Sequence, residues 1–273
     1  MSDSSSAPLI DLKGVSKTFS SDGERPVEAI RDIEFRVNDG EFVAIVGRSG
    51  CGKSTLLRII AGLISASEGH VTIDGQVVDG PRRDAGMVFQ RPALLPWRTV
   101  LGNVLLPIEI IGKVGESDRQ RALDLLELVG LEGFDDRAPR ELSGGMQQRA
   151  AICRALMLRP SVLLMDEPFG ALDALTREEL ALEVQRMWSE QGMTILFVTH
   201  SISEAVLLAD RVIVMTPRPG QVAKQVDIDV PRPRSFTDHA SSEQLMRYSE
   251  RIRRLVFTKH LTPESAQEID DNA

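Results

Sequence analysis

Cysteine, aromatic residues and long apolar runs are all scarce in this sequence. Its 273 residues include two cysteines, two tryptophans and one tyrosine. Two cysteines cannot build a disulfide framework, which excludes the class of small disulfide-stabilised secreted proteins and favours a reducing compartment. No run of about eighteen apolar residues occurs, and the serine-rich, acidic start lacks the basic and apolar regions of a signal peptide. We therefore expect a chain that neither crosses a membrane nor leaves the cell by itself.

Excess positive charge is also lacking. The formal net charge is -8, with 32 Lys and Arg against 40 Asp and Glu. Because nucleic-acid binding is driven largely by clustered basic residues, this balance argues against nucleic acid as a partner. It does not exclude a nucleotide, whose site is local. A chain of this length can bury a full core, as one large domain or two small ones.

The segment 45–57 carries the most specific motif. An apolar run, 42–46, leads into Gly-x-x-x-x-Gly-Lys-Ser, and an apolar-periodic helix follows. This context indicates a P-loop, because the glycines let backbone N–H groups face a polyphosphate and the helix N-terminus adds its dipole. Lys53 is expected to reach the β and γ phosphates of ATP, and Ser54 to bind Mg²⁺. The predicted nucleotide-binding residues of this motif are Gly47, Arg48, Ser49, Gly50, Cys51, Gly52, Lys53, Ser54 and Thr55.

One residue of the loop, Cys51, has a predicted reactivity of its own. It lies beside Lys53 and at a helix N-terminus, surroundings that lower the pKa of a thiol. The sequence therefore predicts that a thiol-alkylating reagent inactivates the protein and that bound ATP protects it.

A second apolar run, 162–165, ends in two acidic residues. A buried strand that ends in an aspartate beside a P-loop can hold the Mg²⁺ shell, so Asp166 is a predicted metal residue. Glu167, one residue further on, can meet an attacking water. Such a carboxylate acts as general base or positions the water, which typically contributes about two to four orders of magnitude in rate. We expect Glu167 to be catalytic.

The segment 142–149 reads Leu-Ser-Gly-Gly-Met-Gln-Gln-Arg. Ser143 and two glycines at a helix start expose N–H groups and a hydroxyl, a second candidate anion site. Here the sequence resembles the ATP-binding subunits of ABC transporters, whose signature motif is L-S-G-G-Q. In that family the signature of one subunit closes over the γ-phosphate held by another. The resemblance thus implies that Ser143, Gly144 and Gly145 bind nucleotide in a head-to-tail dimer with a second copy of the chain, although Met146 replaces the usual glutamine.

The resemblance extends over about 9–230 and implies four further site residues. Phe19 matches the aromatic residue that stacks on adenine. Gln90 matches the glutamine that senses Mg²⁺ and water, which makes it a predicted nucleotide and metal residue. Asp173 matches the aspartate at the dimer interface, and His200 matches the histidine that contacts the γ-phosphate and helps to position the attacking water.

The predicted fold follows from the element order together with this resemblance. Strands at 9–19 and 30–37 and a hairpin turn at 74–75 indicate antiparallel sheet, whereas strands and helices alternate after residue 158. We expect an α/β fold, a P-loop NTPase of ABC type. It would have a mixed central sheet, an N-terminal antiparallel β subdomain and a helical subdomain with the signature at about 91–158.

Domain limits and helix starts can also be predicted. Residues 1–8 are expected to be disordered, 9–230 to form the ATPase domain, and 231–273 to form an extension with one helix and a frayed acidic end. Thr99, Ser117 and Ser143 are expected to cap helices.

The absence of a membrane-spanning run points, within this superfamily, to separate permease subunits, as in bacterial importers. Segments 93–97, 166–173 and 215–220 look like the nitrate, sulfonate and taurine importer ATPases. The resemblance implies an ATPase that uses ATP and Mg²⁺ on the cytoplasmic face of the inner membrane as a peripheral subunit. Its partners would be a second copy, permease subunits and, indirectly, a solute-binding protein. The solute would be a sulfonate such as taurine, nitrate or a related anion. The alternative is a soluble ABC-type ATPase that acts as a mechanical or regulatory module without a permease.

Overall fold

The structure, a computed structural model, describes residues 7–20, 25–235, 239–258 and 261–271. The strands are β1 (Ile10–Phe19), β2 (Val27–Val37), β3 (Phe42–Val46), β4 (Glu68–Ile73), β5 (Gln76–Val77), β6 (Ala85–Val88), β7 (Val162–Asp166), β8 (Thr194–Val198), β9 (Arg211–Met215) and β10 (Val222–Asp227). The helices are α1 (Lys53–Ile60), α2 (Val100–Val104), α3 (Leu106–Ile111), α4 (Glu116–Leu128), α5 (Gly144–Leu156), α6 (Ala174–Gln191), α7 (Ile202–Leu208), α8 (His239–Phe257) and α9 (Pro263–Asp271).

The chain divides into two compact units. The first combines the residues before 83 with those from 194 onward, and the second is 83–193. Within the described ranges, no helix has both the length and the apolar character that crossing a lipid bilayer requires.

The first unit contains strands of two sheets. Strands β1, β2, β4 and β5 pair antiparallel in the order β2-β1-β4-β5, with the predicted hairpin between β4 and β5. In the other sheet β3 pairs in parallel with both β8 and β9, and β10 is antiparallel to β9. Every residue of β3 and β8 is buried, as expected for parallel strands covered on both faces. The carboxyl ends of β3 and β8 therefore meet at one edge of the sheet.

In the second unit β6 pairs in parallel with β7, and α5 packs against α2, α4, α6 and β6. Two of the three predicted helix caps are observed: Thr99 accepts from the N–H of Gly102, and Ser143 caps α5. The prediction that Ser117 is a cap was wrong. Helix α4 begins at Glu116 after Gly115, because the Asp118 carboxylate reaches back to the N–H of Gly115 at 2.9 Å. The ionised Asp118 acceptor thus fixes the helix start at Gly115, two residues before Ser117.

The C-terminal extension contains two helices, α8 and α9, whereas the sequence predicted only one. After α8, the Thr262 hydroxyl accepts from the N–H of Ser265 at 3.2 Å, and α9 then begins at Pro263. A threonine cap followed by proline at the first helical position is a helix start that outweighs the acidic composition. The buried Ala266 anchors this helix, which packs on β10 and α8. Residues 1–6, most of the predicted disordered start, and 272–273 lie outside the described residues, and the domain limits at 8 and 230 stay predictions.

Candidate functional site

The P-loop connects the end of β3 to the start of α1. Gly52 precedes α1 with φ 102°, and a Cβ at this position would lie 2.4 Å from the side chain of Ile30 and 2.8 Å from the carbonyl oxygen of Ala29. A side chain is therefore excluded both by the backbone conformation and by β2 behind the loop. This close approach fixes the backbone conformation of the loop where it enters α1.

The Lys53 ammonium lies over its own loop. Its Nζ donates to the carbonyl oxygen of Gly47 at 2.9 Å and to that of Arg48 at 3.3 Å, and only 5% of the residue is exposed. Neutral groups, namely these two carbonyl oxygens and the Cys51 Sγ at 4.0 Å, hold this ammonium, so its charge can attract an anion. The arrangement is thus suited to receiving a phosphate group.

A turn between β9 and β10 braces the outer side of the P-loop. The Arg218 Nε donates to the carbonyl oxygen of Gly50 at 3.2 Å. The N–H of Gly220 donates to the carbonyl oxygen of Ala29 in β2 at 3.0 Å, and its carbonyl oxygen accepts from the N–H of Arg31 in the same strand at 2.9 Å. A cleft of about 470 Å³ lies here, lined by Arg48, Ser49, Gly50, Pro217 and Arg218. The motif 215–220 marked a family likeness in the sequence, but its contact with the P-loop depends on β9 lying beside β3.

Cys51 does not have the predicted low pKa. The residue is 1% exposed, and burial raises the pKa of its thiol, an effect that the nearby Lys53 and Arg218 charges oppose more weakly. The sequence showed the neighbouring charge and the helix start, whereas the burial of Sγ arises from packing behind the loop. The expectation that this thiol is activated was therefore wrong.

We accordingly expect Cys51 to resist alkylation in the native protein. At pH 7.5 iodoacetamide should label it at least roughly tenfold more slowly than in urea, because the reactive thiolate is both disfavoured and inaccessible. Mass spectrometry of the labelled peptides gives the rates. Cys153, fully buried with a pKa also raised by burial, is an internal control and should be equally slow. Fast native labelling of Cys51 that ATP suppresses would instead favour the activated thiol.

His200 follows β8 at the sheet edge where β3 enters the P-loop. The pairing of Ile45 with Val198 fixes this position, and the residue is exposed. Hydrogen bonds of Thr199, the residue before His200, fix the turn around it. The Thr199 hydroxyl donates to the Glu204 carboxylate at 2.6 Å and accepts from the N–H of Ser201 at 2.9 Å. The first unit thus brings together two of the predicted elements, the P-loop and His200.

The second unit brings together Gln90 and the acidic pair. Because β6 and β7 are parallel, Asp166 at the end of β7 and Gln90 just after β6 lie at the same edge of the pair. The Gln90 Nε2 donates to a Glu167 carboxylate oxygen at 3.2 Å. Asp166 is buried and Glu167 half-buried. Glu167 has φ 46°, a conformation that costs a residue with a side chain roughly 1–3 kcal/mol and is concentrated at functional sites. The backbone thus holds this carboxylate in a constrained direction beside an amide donor.

Ser143 and Asp173 each begin a helix. The Ser143 hydroxyl accepts from the N–H of Met146 at 3.3 Å at the start of α5. Asp173 accepts from the N–H and the hydroxyl of Thr176 at 3.1 and 2.7 Å, and these hydrogen bonds lower the pKa of its carboxyl. Both side chains are exposed, as is Gly144, whereas Gly145 is buried. Both residues therefore have a structural task, and their roles toward nucleotide and dimer stay predictions.

Phe19 ends β1 with 44% of its surface exposed. The Lys17 ammonium lies 5.3 Å from its ring centroid. An exposed ring beside a cation can stack on a base. Its predicted contact with adenine stays a prediction.

Comparison with known proteins decides the family. A family model described as ABC transporter matches residues 30–170, just over half of the chain. The chain belongs to the ABC transporter family. It is 47% identical over 243 residues to an uncharacterised ABC transporter ATP-binding protein of Methanocaldococcus jannaschii, covering 89% of each chain. It is 43% identical over 254 residues to a taurine import ATP-binding protein of Rhizobium johnstonii, covering 92% of this chain and 97% of the relative.

Solved structures of ABC cassettes share the fold. One, a dimeric ATP-binding cassette in a post-hydrolysis state bound to ADP and Pi, matches with a TM-score of 0.73 at 36% identity. The match covers 82% of this chain and all of the other. The predicted family and the ABC-type fold class are confirmed.

In this ABC chain, α5 holds the segment around Gln90 through contacts that the sequence did not predict. The buried Gln148 donates to the carbonyl oxygen of Phe89 at 3.2 Å. Arg154 donates from its two terminal nitrogens to the carbonyl oxygens of Ala93 and Pro92, each at 2.8 Å. The sequence offered one clue, polar residues on the inward face of a helix, but their partners lie about sixty positions away.

Proposed function

We propose that this chain is the ATP-binding and ATP-hydrolysing subunit of an ABC importer, which drives uptake of a small solute through separate permease subunits. The observation that carries the proposal is the P-loop with its buried Lys53 ammonium, in a chain similar over nearly its whole length to a taurine import ATP-binding protein. We infer that the solute is a sulfonate such as taurine, nitrate or a related small anion. The likeness to the taurine relative supports a sulfonate.

The proposed binding of ATP uses the loop 47–55. Its N–H groups and the start of α1 hold the phosphates, and Lys53 exchanges the carbonyl oxygens of Gly47 and Arg48 for the β and γ phosphates. The Ser54 hydroxyl in the first turn of α1 is a hard oxygen donor of the kind that Mg²⁺ prefers, and the Asp166 carboxylate and Gln90 amide oxygen are of the same kind. When bound, Mg²⁺ would neutralise charge on the phosphate oxygens.

The proposed hydrolysis uses Glu167 and His200. A water attacks the γ-phosphorus, the bond to the β–γ bridging oxygen breaks, and Glu167 orients the water and accepts its proton. The constrained backbone at Glu167 and its hydrogen bond from Gln90 support this role. His200, exposed beside the P-loop and held by Thr199, contacts the γ-phosphate.

Two partners complete the proposal. A second copy supplies Ser143, Gly144 and Gly145 to the nucleotide, with Asp173 at the dimer interface, and the dimeric state of a similar cassette supports this pairing. Permease subunits bind the segment 90–104, in which Trp97 is 77% exposed. The chain would thus be a peripheral subunit on the cytoplasmic face of the membrane, and a solute-binding protein outside would act through the permease.

We expect Trp97→Asp to abolish permease binding without loss of ATP binding, because it places a charge in an exposed apolar contact. The tagged chain is expressed with the permease encoded beside it, and co-purification from detergent-solubilised membranes is measured. Two variants serve as controls: Val77→Asp, a charge at another exposed apolar residue, should keep the permease, and Lys53→Ala should keep the permease but lose ATP hydrolysis. A wild-type chain that hydrolyses ATP but never retains a permease would favour the soluble mechanical or regulatory module.

A further inference from the structure

Arg234, in the C-terminal extension, binds the carboxyl end of helix α7. Its guanidinium donates to the carbonyl oxygens of Val206 and Ala209 at 3.0 and 2.6 Å, and to those of Ile228 and Val230 at 2.9 and 2.8 Å. The last carbonyl groups of a helix have no partner within it, and a cation there also complements the helix dipole. Arg234 therefore joins the end of α7 to the segment that leaves β10.

The burial of this arginine makes the contact unusual. Only 2% of Arg234 is exposed. Burial, and next the charge of Arg232, lower the pKa of Arg234 to about 10, so the side chain is still charged at neutral pH. A buried charge is tolerated only where hydrogen bonds satisfy it, and here four carbonyl groups do so. Removing some of the guanidinium N–H donors leaves carbonyl groups at the end of α7 without a hydrogen bond.

A second arginine extends the connection to the P-loop strand. Arg232 donates to the carbonyl oxygen of Leu208 at 2.8 Å and to the Asp210 carboxylate at 2.6 Å. The other oxygen of Asp210 accepts from the N–H of Phe42, the first residue of β3, at 3.0 Å. The two arginines thus hold the carboxyl end of α7. Through Asp210, Arg232 also fixes the position of this end relative to the start of β3.

The other end of α7 carries the turn of His200. Ser201 caps the helix, and the buried Glu204, within the first turn, accepts from Thr199 on the other side of His200. Helix α7 has 7 residues and is roughly 10 Å long. Because so short a helix moves as a rigid body, a displacement of its carboxyl end also displaces its amino end.

We propose that Arg234, supported by Arg232, is a positioning residue for ATP hydrolysis: it holds α7 so that the turn from Thr199 to Ser201 presents His200 beside the P-loop. A residue of the C-terminal extension, distant in the sequence from every predicted nucleotide-binding motif, then sets the geometry of the site. This inference rests on the role proposed above for His200.

Arg234→Lys tests the inference, because lysine keeps the charge but cannot reach four divergent carbonyl groups. We expect kcat for ATP hydrolysis to fall roughly tenfold, since small misplacements of a catalytic group have effects of this size or larger, while the Kd for ATP changes less than about twofold. Hydrogen exchange of the amides in 199–209 should accelerate, and that of α1 should not. Arg247→Lys, an exposed arginine paired with Glu243, is the matched control and should match wild type.

A double-mutant cycle separates positioning from general stability. In a His200→Ala background, Arg234→Lys should lower kcat no further, whereas an equal loss in both backgrounds would overturn the inference. Normal hydrolysis by His200→Ala alone would instead contradict the role proposed for His200. Unchanged exchange in 199–209 would overturn the link to α7 whatever the chain hydrolyses. If Arg234→Lys does not fold, Arg232→Lys replaces it, because this variant keeps the four hydrogen bonds of Arg234. It should accelerate hydrogen exchange at the end of α7 and lower kcat in the same way. Unchanged values of both would overturn the inference.

Discussion

Replacing Glu167 by glutamine should lower the rate of ATP hydrolysis by about two to four orders of magnitude and leave ATP binding intact. The substitution removes the basic carboxylate but keeps the size of the side chain, and its amide oxygen can still accept from Gln90. The P-loop residues that hold the nucleotide are unchanged, so the Kd for ATP should stay within about twofold. With ATP bound and hydrolysis blocked, the dimer should persist. Phosphate release, a nucleotide titration and size-exclusion chromatography measure the three effects.

The matched control for this variant is Glu132→Gln, an exposed glutamate of the same unit. It should hydrolyse ATP at the wild-type rate. Turnover by Glu167→Gln at the wild-type rate would refute the catalytic assignment. A parallel loss of ATP affinity would show instead that the substitution disturbs the fold around β7.

Replacing Gly220 by alanine should damage the P-loop from outside it. The added Cβ would lie 2.0 Å from the carbonyl oxygen of Cys51 and 2.8 Å from the Met215 side chain, and a backbone carbonyl cannot move without displacing the loop. We expect ATP affinity to fall by at least roughly tenfold, since the N–H groups would no longer converge. The free energy of unfolding should fall by about 1–3 kcal/mol or more, the usual cost of overpacking. Nucleotide titration and urea denaturation measure these changes.

Gly80→Ala is the corresponding control. It lies in the same unit, and a Cβ at this position meets no atom within 4 Å. Its ATP affinity and stability should equal those of the wild type or, for stability, slightly exceed them, because alanine reduces the entropy of the unfolded chain. Wild-type ATP binding by Gly220→Ala would mean that the turn at 216–220 does not support the P-loop.

Local chemistry was sufficient for the elements that a few adjacent residues determine. The P-loop, the hairpin turn at 74–75 and the caps at Thr99 and Ser143 could all be predicted, because each depends on glycine conformation or on a side chain reaching its own backbone. The prediction of a cap at Ser117 was wrong for an equally local reason, because a stronger acceptor, the Asp118 carboxylate, lies one residue away. The second helix of the extension was not predicted, because the acidic composition of this segment favours a frayed end and the capping signal at Thr262 is short.

Predictions failed or were never made where distant segments decide the outcome. The charge beside Cys51 is visible in the sequence, but the burial that raises its pKa comes from the tertiary packing around the loop. The same holds for Arg218, whose partner Gly50 is 168 positions away.

By itself, the sequence determined the order of the motifs, the chemical type of each predicted site residue and the family to which they belong, because these reside in residue identity and short-range spacing. Only the tertiary structure decided which groups meet: Lys53 with the carbonyl groups of its loop, Gln90 with Glu167, and Arg234 with the end of α7. The physical reason is that burial and hydrogen-bond partners are fixed when strands and helices from distant parts of the chain pack together. Spacing in the sequence does not contain those distances.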